Sequence, residues 1–175
     1  MSLLQTVSPE NAEGKVKEAY DFFNGMAGMV PLPIQMVSTS PDLLSNLIDT
    51  VKYYVNESNL STSLLAHIRL LVSKEEDFTF CINLNQEILK GLCGYSQDKV
   101  DLFMKDINQA LLEKREIDLL KFVIKAVADP ALTEKSDIYE LKKAGWTEKD
   151  IYEAVHEGLL MLIRGISFKA FKMGD

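Results

Sequence analysis

The sequence predicts an all-α protein. Apolar residues recur at intervals of three and four along almost every segment, which is the spacing of one face of an α-helix. Two Ser-Pro pairs, Ser8-Pro9 and Ser40-Pro41, place a capping hydroxyl before a proline at the first helical position. No repeat and no low-complexity segment interrupts this pattern, so we expect one domain over residues 1–175.

The first half of the chain contains the signals for four helices. The Ser-Pro pairs predict helices from about 9 to 27 and from about 42 to 58. Between them, GMAGMVPLPIQM has two glycines and two prolines, which indicates a connector followed by a short helix. Ser61 is expected to open another helix, which ends near Lys74. Its apolar stripe consists of Leu64, Leu65, Ile68, Leu71 and Val72.

Asp77 is the expected N-cap of the next helix, and Gly94 its left-handed stop. The face of this helix that should point inward consists of Phe78, Cys81, Ile82, Asn85, Leu89 and Leu92. Further helices are predicted from Ser96 to about Gln109 and from about 113 to 128. A short helix should then run to Ala144, with Gly145 as its C-terminal cap.

The last helix is predicted from Ile151 to Phe171, after a capping box that spans Thr147 to Asp150. Its sequence is apolar over more than one stripe, notably in GLLMLIRG. Gly158 and Gly165 are seven residues apart and would allow a neighbouring element to approach closely. We therefore expect this helix to bury two faces, one of them against another subunit.

Composition excludes several classes of protein. The chain is 47% hydrophobic and 26% charged, which is typical of a folded domain. No apolar run approaches the roughly 18 residues that span a bilayer, so no membrane association is expected. A net charge of -7 without a basic patch argues against nucleic acid as a partner. Two cysteines are too few for a disulfide framework, which favours a cytoplasmic location.

The stretch LLAHIRLLVSKEEDFTFCINLNQEILKGLCG, from Leu64 to Gly94, resembles the central helix pair of the alkylhydroperoxidase D and carboxymuconolactone decarboxylase superfamily. The segments SPENAEGKVKEAYDFF and AGWTEKDIYEAV occupy the places that this family's order of elements gives them. The resemblance covers nearly the whole chain. It implies an alkylhydroperoxidase D-like helical bundle, and it implies a homo-oligomer, because homo-oligomers are usual in the family.

Most of the catalytic motif of that family is replaced. Its second helix opens with Cys-x-x-Cys-x-x-x-His, and the equivalent positions here are Phe78, Cys81 and Asn85. In peroxidase members one thiolate attacks the peroxide and the other resolves the sulfenic acid. Their Glu, twelve residues before the first Cys, corresponds to Ala66, and a His before the second Cys corresponds to Phe80. The decarboxylase branch uses the trailing His, so its activity is not implied either.

Three residues remain as candidates for chemistry: Cys81 as a nucleophile, with His67 and Asn85 as its helpers. A thiol near a helix N-terminus is favoured as thiolate, and Asn85 could hydrogen-bond it from one turn away. His67 could contact Cys81 if the two helices pack antiparallel. The alternative for Cys81 is a small apolar core residue, and a lone helical His is usually structural. No cofactor and no metal is expected, since two unmatched histidines do not form a metal site.

Three functions are compatible with these observations. The first is a one-cysteine, peroxide-reactive oxidoreductase in which an outside thiol reduces Cys81. Cys93 could not do so, because it would lie roughly 18 Å from Cys81 along the helix, beyond the reach of a disulfide. The second is a catalytically inactive oligomer that binds a small hydrophobic or peroxide ligand, as the replacement of polar positions by Phe78 and Phe80 suggests. The third is a structural role, based on the two-faced last helix.

Overall fold

The structure, a computed structural model, describes residues 2–174. Most of these residues are helical. No strand occurs in this range, so the predicted all-α class is confirmed. The chain divides into two compact units. Unit 1 comprises the part up to Glu57 together with the part from Ile166 onward, and unit 2 comprises Ser58–Gly165. Within the described range, no helix combines the length and the hydropathy that crossing a membrane requires.

Unit 1 is built on three helices, which are α1 (Gly14–Ala27), α2 (Leu32–Val37) and α3 (Pro41–Asn56). The side chains of Tyr20, Phe23, Leu44 and Ile48 belong to its buried core. The short helix predicted after the Gly- and Pro-rich connector is thus confirmed as α2. Helix α3 begins where Ser40-Pro41 predicts, although the Ser40 side chain makes no capping hydrogen bond.

The helix predicted from about 9 to 27 is interrupted near its start. Pro9–Asn11 is a single 3-10 turn, and the backbone is extended at Ala12. Gly14 then has a φ of 52°, in the left-handed region that glycine tolerates. An extended residue and a left-handed residue cannot continue a right-handed helix, so the regular helix starts only at α1.

Unit 2 surrounds a buried helix. Its helices are α4 (Thr62–Glu75), α5 (Thr79–Cys93), α6 (Gln97–Lys105), α7 (Lys114–Ala128), α8 (Lys135–Lys143) and α9 (Glu148–Ala170), the last of which continues into unit 1. Helix α4 packs against α5 and α7. Its predicted stripe is buried, and so are Ala66, His67 and Leu70 outside that stripe. The Ser61 hydroxyl accepts a hydrogen bond from the Leu64 N–H at 3.0 Å, which confirms the predicted cap.

The turn between α4 and α5 differs from the prediction. Asp77 has a φ of 50° and lies in the turn, and Phe78 is the N-cap of α5. The Phe78 N–H donates to the Ser73 carbonyl oxygen at 2.8 Å, which closes the reversal of the chain. Asp77 therefore forms the corner, a left-handed position that aspartate adopts more readily than most residues. Leu92 was expected to point inward and is instead 70% exposed.

The ends of the later helices follow local capping chemistry. Helix α6 stops at Lys105 rather than near Gln109, because the Asp106 side chain accepts a hydrogen bond from the Asn108 N–H and caps a separate 3-10 turn. The predicted capping box of α9 is confirmed: Thr147 N–H donates to Asp150 Oδ2 at 2.9 Å, and Asp150 N–H donates to Thr147 Oγ1 at 3.1 Å.

Candidate functional site

Cys81 lies in the first turn of α5, on the side that faces the interior of unit 2. It is 5% exposed and forms no disulfide. Burial raises the pKa of the Cys81 thiol to about 12, although the positive charges of Arg164 and then Arg69 act in the opposite direction. Desolvation disfavours the charged form of an acid, and here it outweighs both arginine charges. Cys81 is consequently a protonated thiol at neutral pH.

Phe78, three residues before Cys81, is the N-cap of α5 and brings an aromatic ring to this end of the helix. It is buried, and it contacts α9 where that helix has no side chain. A Cβ atom added to Gly165 would lie 3.4 Å from Phe78 Cδ1, which is ordinary van der Waals contact. The close approach predicted for Gly165 is thereby confirmed, and its neighbour is the ring of Phe78.

Asn85 contacts the backbone of Cys81 rather than its thiol. Its Nδ2 donates to the Cys81 carbonyl oxygen at 2.8 Å. The opposite amide orientation would place two oxygens together, so this contact fixes which way the amide points. The Asn85 side chain is 2% exposed, and its Oδ1 atom has no hydrogen-bond partner within residues 2–174. A buried acceptor without a hydrogen-bond partner costs the folded state about 1–3 kcal/mol.

His67 does not contact Cys81 as predicted, because it hydrogen-bonds to Ser63 and Tyr95 instead. Its Nδ1 lies 2.6 Å from the Ser63 carbonyl oxygen, and its Nε2 lies 2.7 Å from the Tyr95 hydroxyl. A carbonyl can only accept, so Nδ1 carries the proton and Nε2 accepts from Tyr95. The Tyr95 oxygen in turn accepts from the Leu111 N–H. Both ring nitrogens are used, so neither is available to Cys81.

Burial lowers the pKa of His67, against the opposing effects of its bond to the Ser63 carbonyl and of the Glu116 charge. The ring also packs edge-on against Phe103, with centroids 4.7 Å apart. His67 is thus a neutral residue that joins α4 to the segments around Tyr95 and Leu111. This arrangement is that of a structural histidine.

A charged cluster near Cys81 was not predicted from the sequence. Arg69 Nε donates to Glu157 Oε1 at 2.5 Å, and Arg164 Nη1 lies 4.0 Å from the same oxygen. Glu157 is 2% exposed. The sequence does contain a signal for this cluster, because Arg69 and Arg164 each interrupt an otherwise apolar helical run. A charge within such a run is buried or half-buried, and a buried charge needs a partner.

Two further findings limit the chemistry that is available at the site. No group of three or more His, Cys, Asp or Glu residues among residues 2–174 is arranged to hold a metal ion. Ser73 Oγ, on the helix opposite α5 in the hairpin, is a second buried polar atom without a hydrogen-bond partner in the same range. Two buried polar atoms, one on α4 and one on α5, are thus left without a hydrogen-bond partner among the described residues.

The architecture resembles that of two crystal structures. The chain superposes with a TM-score of 0.83 on the alkylhydroperoxidase AhpD core of an uncharacterized peroxidase-related protein from Ralstonia eutropha JMP134. The match covers 98% of this chain and 90% of that one at 14% sequence identity. This chain has an AhpD-like fold.

An uncharacterized peroxidase-related protein from Silicibacter sp. TM1040 gives the same TM-score of 0.83 and the same coverage, at 18% identity. No protein-family model and no curated protein sequence matches the chain. The expected AhpD-like fold is confirmed by these two structures. At such low identity the likeness concerns the fold, and any activity has to be argued from the residues of the site.

Proposed function

We propose that this AhpD-like protein binds a small hydroxyl-bearing molecule in the interior of the α4–α5 hairpin, without thiol–peroxide turnover. The observation that supports binding is Asn85 Oδ1, a buried acceptor with no hydrogen-bond partner among the described residues. Buried polar atoms in native proteins nearly always have a partner, and an exception calls for a bound water or ligand. A ligand with an O–H group would supply the missing donor.

The surroundings of Asn85 define the rest of the ligand. On the same face of α5, Phe78 and Leu89 are buried one to two turns away and present apolar surface. A small molecule with an apolar body and one hydroxyl matches this combination, since binding sites pair apolar walls with a few placed polar groups. Alcohols and hydroperoxides both satisfy this description.

The competing function is oxidation of Cys81 by a peroxide. In its favour, the charges of Arg164 and Arg69 both lower the thiol pKa. Against it, the net pKa of about 12 leaves almost no thiolate at neutral pH, and the thiolate is the nucleophile. A sulfenic acid formed at Cys81 would also require an outside thiol as reductant, because Phe78 occupies the position at which the resemblance places the other cysteine of the pair.

The decisive measurement is the rate at which hydrogen peroxide and tert-butyl hydroperoxide oxidise Cys81, followed by intact mass in Cys93→Ser protein. We expect a rate at or below that of a free thiol at the same pH, because the buried thiol is protonated. A rate well above the free-thiol value would contradict the proposal and would support the one-cysteine peroxidase.

Binding is tested with a matched pair of probes, benzyl alcohol and toluene, which differ by one hydroxyl group. We expect benzyl alcohol to raise the melting temperature more than toluene does, because a ligand that binds only the folded state stabilises it. Asn85→Leu should abolish this difference. Asn83→Leu, the same substitution at an exposed position of α5, should preserve it. Equal effects of the two probes on the unmodified protein would contradict the role of Asn85.

We also propose that the protein functions in the cytoplasm. Both cysteines are free, as expected in a reducing compartment. Cell fractionation with an antibody against the protein would test this location directly.

A further inference from the structure

Ser73, near the end of α4, has a buried hydroxyl group without a hydrogen bond. The residue is 1% exposed, and its Oγ atom has no partner among residues 2–174. A serine inside a helix can donate to the carbonyl oxygen one turn earlier, but Ser73 makes no such bond within this range. An unpartnered buried polar group in a native protein calls for a bound water or ion.

The position of Ser73 on α4 places its side chain where this helix meets both α9 and α5. Arg69, one turn earlier, donates to Glu157 of α9. Ser73 is rotated from Arg69 by about 40°, since a helix has 3.6 residues per turn, so the two side chains share a face. On the other side, the Ser73 carbonyl oxygen accepts from the Phe78 N–H at the start of α5. The Ser73 hydroxyl therefore lies at the junction of α4, α5 and α9.

Two guanidinium groups converge on this junction. Arg69 uses its Nε for Glu157, and a guanidinium has five N–H donors, so its Nη groups supply further ones. Arg164 folds back along α9, with Nη1 3.3 Å from Met161 Sδ and 4.0 Å from Glu157 Oε1. The side chains of Arg69 and Arg164 are 26% and 18% exposed. Partly buried charges of this kind are screened less than charges at the surface.

Cys81 shows which sign of charge the two arginines favour here. Burial raises the pKa of its thiol, and the charges of Arg164 and then Arg69 act against that rise. A nearby charge lowers the pKa of a thiol only if it stabilises the anionic form. Both arginines therefore favour negative charge on the side of α5 that carries Cys81.

From these contacts we propose that the junction of α4, α5 and α9 binds a chloride ion, with the Ser73 hydroxyl and the Nη groups of Arg69 as its donors. Chloride can only accept hydrogen bonds, and both residues can donate them. This ion would be separate from the ligand proposed at Asn85, because Asn85 Oδ1 is an acceptor and has no hydrogen to offer an anion.

The surroundings favour a small ion with a single charge. Val72, Phe78 and Met161 are buried apolar residues next to the groups that form the junction, and their side chains add no strong donor. Removal of an ion from water is costly even for one charge and needs compensating hydrogen bonds. Sulfate and phosphate carry more charge and present several oxygens, which one hydroxyl and one guanidinium cannot satisfy. An organic acid would also need room for its carbon skeleton.

The first test compares melting temperatures in sodium chloride and in sodium gluconate at equal ionic strength. We expect chloride to raise the melting temperature by a few degrees, because an ion that binds only the folded state stabilises it. Ser73→Ala should abolish this difference while retaining native circular dichroism. Ser136→Ala, at an exposed position of α8, is the matched control and should preserve it. No chloride effect on the unmodified protein, or an undiminished effect in Ser73→Ala, would overturn the proposal.

The second test locates the ion directly and does not depend on the folding of a variant. Crystals of the unmodified protein are soaked in sodium bromide, and the anomalous scattering of bromide is measured. We expect an anomalous peak in contact with Ser73 Oγ and an Nη atom of Arg69. An ordered water at Ser73, with bromide found only at surface positions, would overturn the proposal and would leave the role of Asn85 unaffected.

Discussion

Arg69 and Glu157 form an ion pair inside unit 2, with Arg69 Nε 2.5 Å from Glu157 Oε1 and the carboxylate almost inaccessible to solvent. Paired charges of this kind contribute little net stability, because desolvation offsets their attraction. Removal of Arg69 has a larger effect, since it takes the close partner away from a buried carboxylate and leaves the Arg164 guanidinium at 4.0 Å. The pair also joins α4 to α9 and holds Glu157 toward the interior of unit 2.

We expect Arg69→Met to lower the free energy of unfolding by about 3 kcal/mol, the lower end of the range for breaking a buried pair, because Arg69 is partly exposed. The double variant Arg69→Met/Glu157→Leu should recover at least half of this loss, since no unpaired carboxylate remains. Urea denaturation measures both values. Lys15→Met, which removes an exposed ion pair with Asp42, is the control and should have little effect. Equal losses in the single and double variants would contradict the argument.

Gly158 permits a close contact that no other residue would. A Cβ at this position would lie 2.9 Å from Val127 Cγ2 and 3.1 Å from Val123 Cγ1. We expect Gly158→Ala to destabilise the protein by about 1–3 kcal/mol through overpacking, despite the better helix propensity of alanine. Gly91→Ala in α5, where a Cβ meets nothing within 4 Å, should instead stabilise it by about 0.5–1 kcal/mol. Thermal unfolding of the two variants should shift in opposite directions, and shifts of the same sign would contradict this account.

Local signals in the sequence predicted most of the fold. The caps at Ser61, Gly94 and Thr147 are confirmed, because a cap depends on residues three or four positions apart. The signal at Asp77 was misleading for the same reason. Its side chain suits an N-cap and a left-handed corner equally well, and the choice between them depends on how α4 and α5 meet.

The candidate site could be predicted only in part. Periodicity indicated that Cys81 and Asn85 share the inner face of α5, and both are buried. The same periodicity could not give the partner of Glu157, which lies 88 residues away at Arg69. Nor could it show which side of α9 faces inward, because acids and apolar residues both recur at helical spacing along it. Long-range pairing decided that question, and single-helix patterns contain no information about it.

The hydrogen-bond chain from Ser63 through His67 and Tyr95 to Leu111 depends on one hydroxyl group. Tyr95→Phe would leave His67 Nε2 and the Leu111 N–H without their partner. We expect a loss of about 1–3 kcal/mol in the free energy of unfolding, the cost of unsatisfied buried polar groups. Tyr139→Phe removes an exposed hydroxyl and should have little effect. If the two variants are equally stable, the hydrogen bonds of Tyr95 contribute nothing to the stability of the protein.

His67 should make stability sensitive to acid. Its pKa is lowered by burial from the ordinary value of 6.5, so the unfolded chain binds a proton at a higher pH than the folded one. The unfolded state is then favoured progressively as pH falls below about 6.5, until the folded pKa is reached. Urea midpoints at pH 7.5 and pH 5 should therefore differ more in the unmodified protein than in His67→Gln. Parallel pH dependence in the two proteins would contradict the predicted shift.

Cys81 should make the stability of the protein sensitive to alkali. Its pKa is raised to about 12 in the folded protein from an ordinary value of 9.0, so between these values the unfolded chain loses the thiol proton while the folded chain keeps it. Stability is therefore lost as pH rises through this range, by about 1.4 kcal/mol for each pH unit above the unfolded pKa.

The comparison that isolates this effect is Cys81→Ala against its parent, both carrying Cys93→Ser so that only one thiol titrates. Lysine and tyrosine ionisation is common to the two proteins and cancels. Cys81→Ala should be the less stable protein at pH 7.5, because it lacks a buried side chain, and the gap should narrow by pH 10. A gap that stays constant would mean that the Cys81 thiol ionises in the folded protein as readily as in the unfolded chain. A thiol that ionises this readily could act as a nucleophile toward a peroxide, contrary to the proposed function.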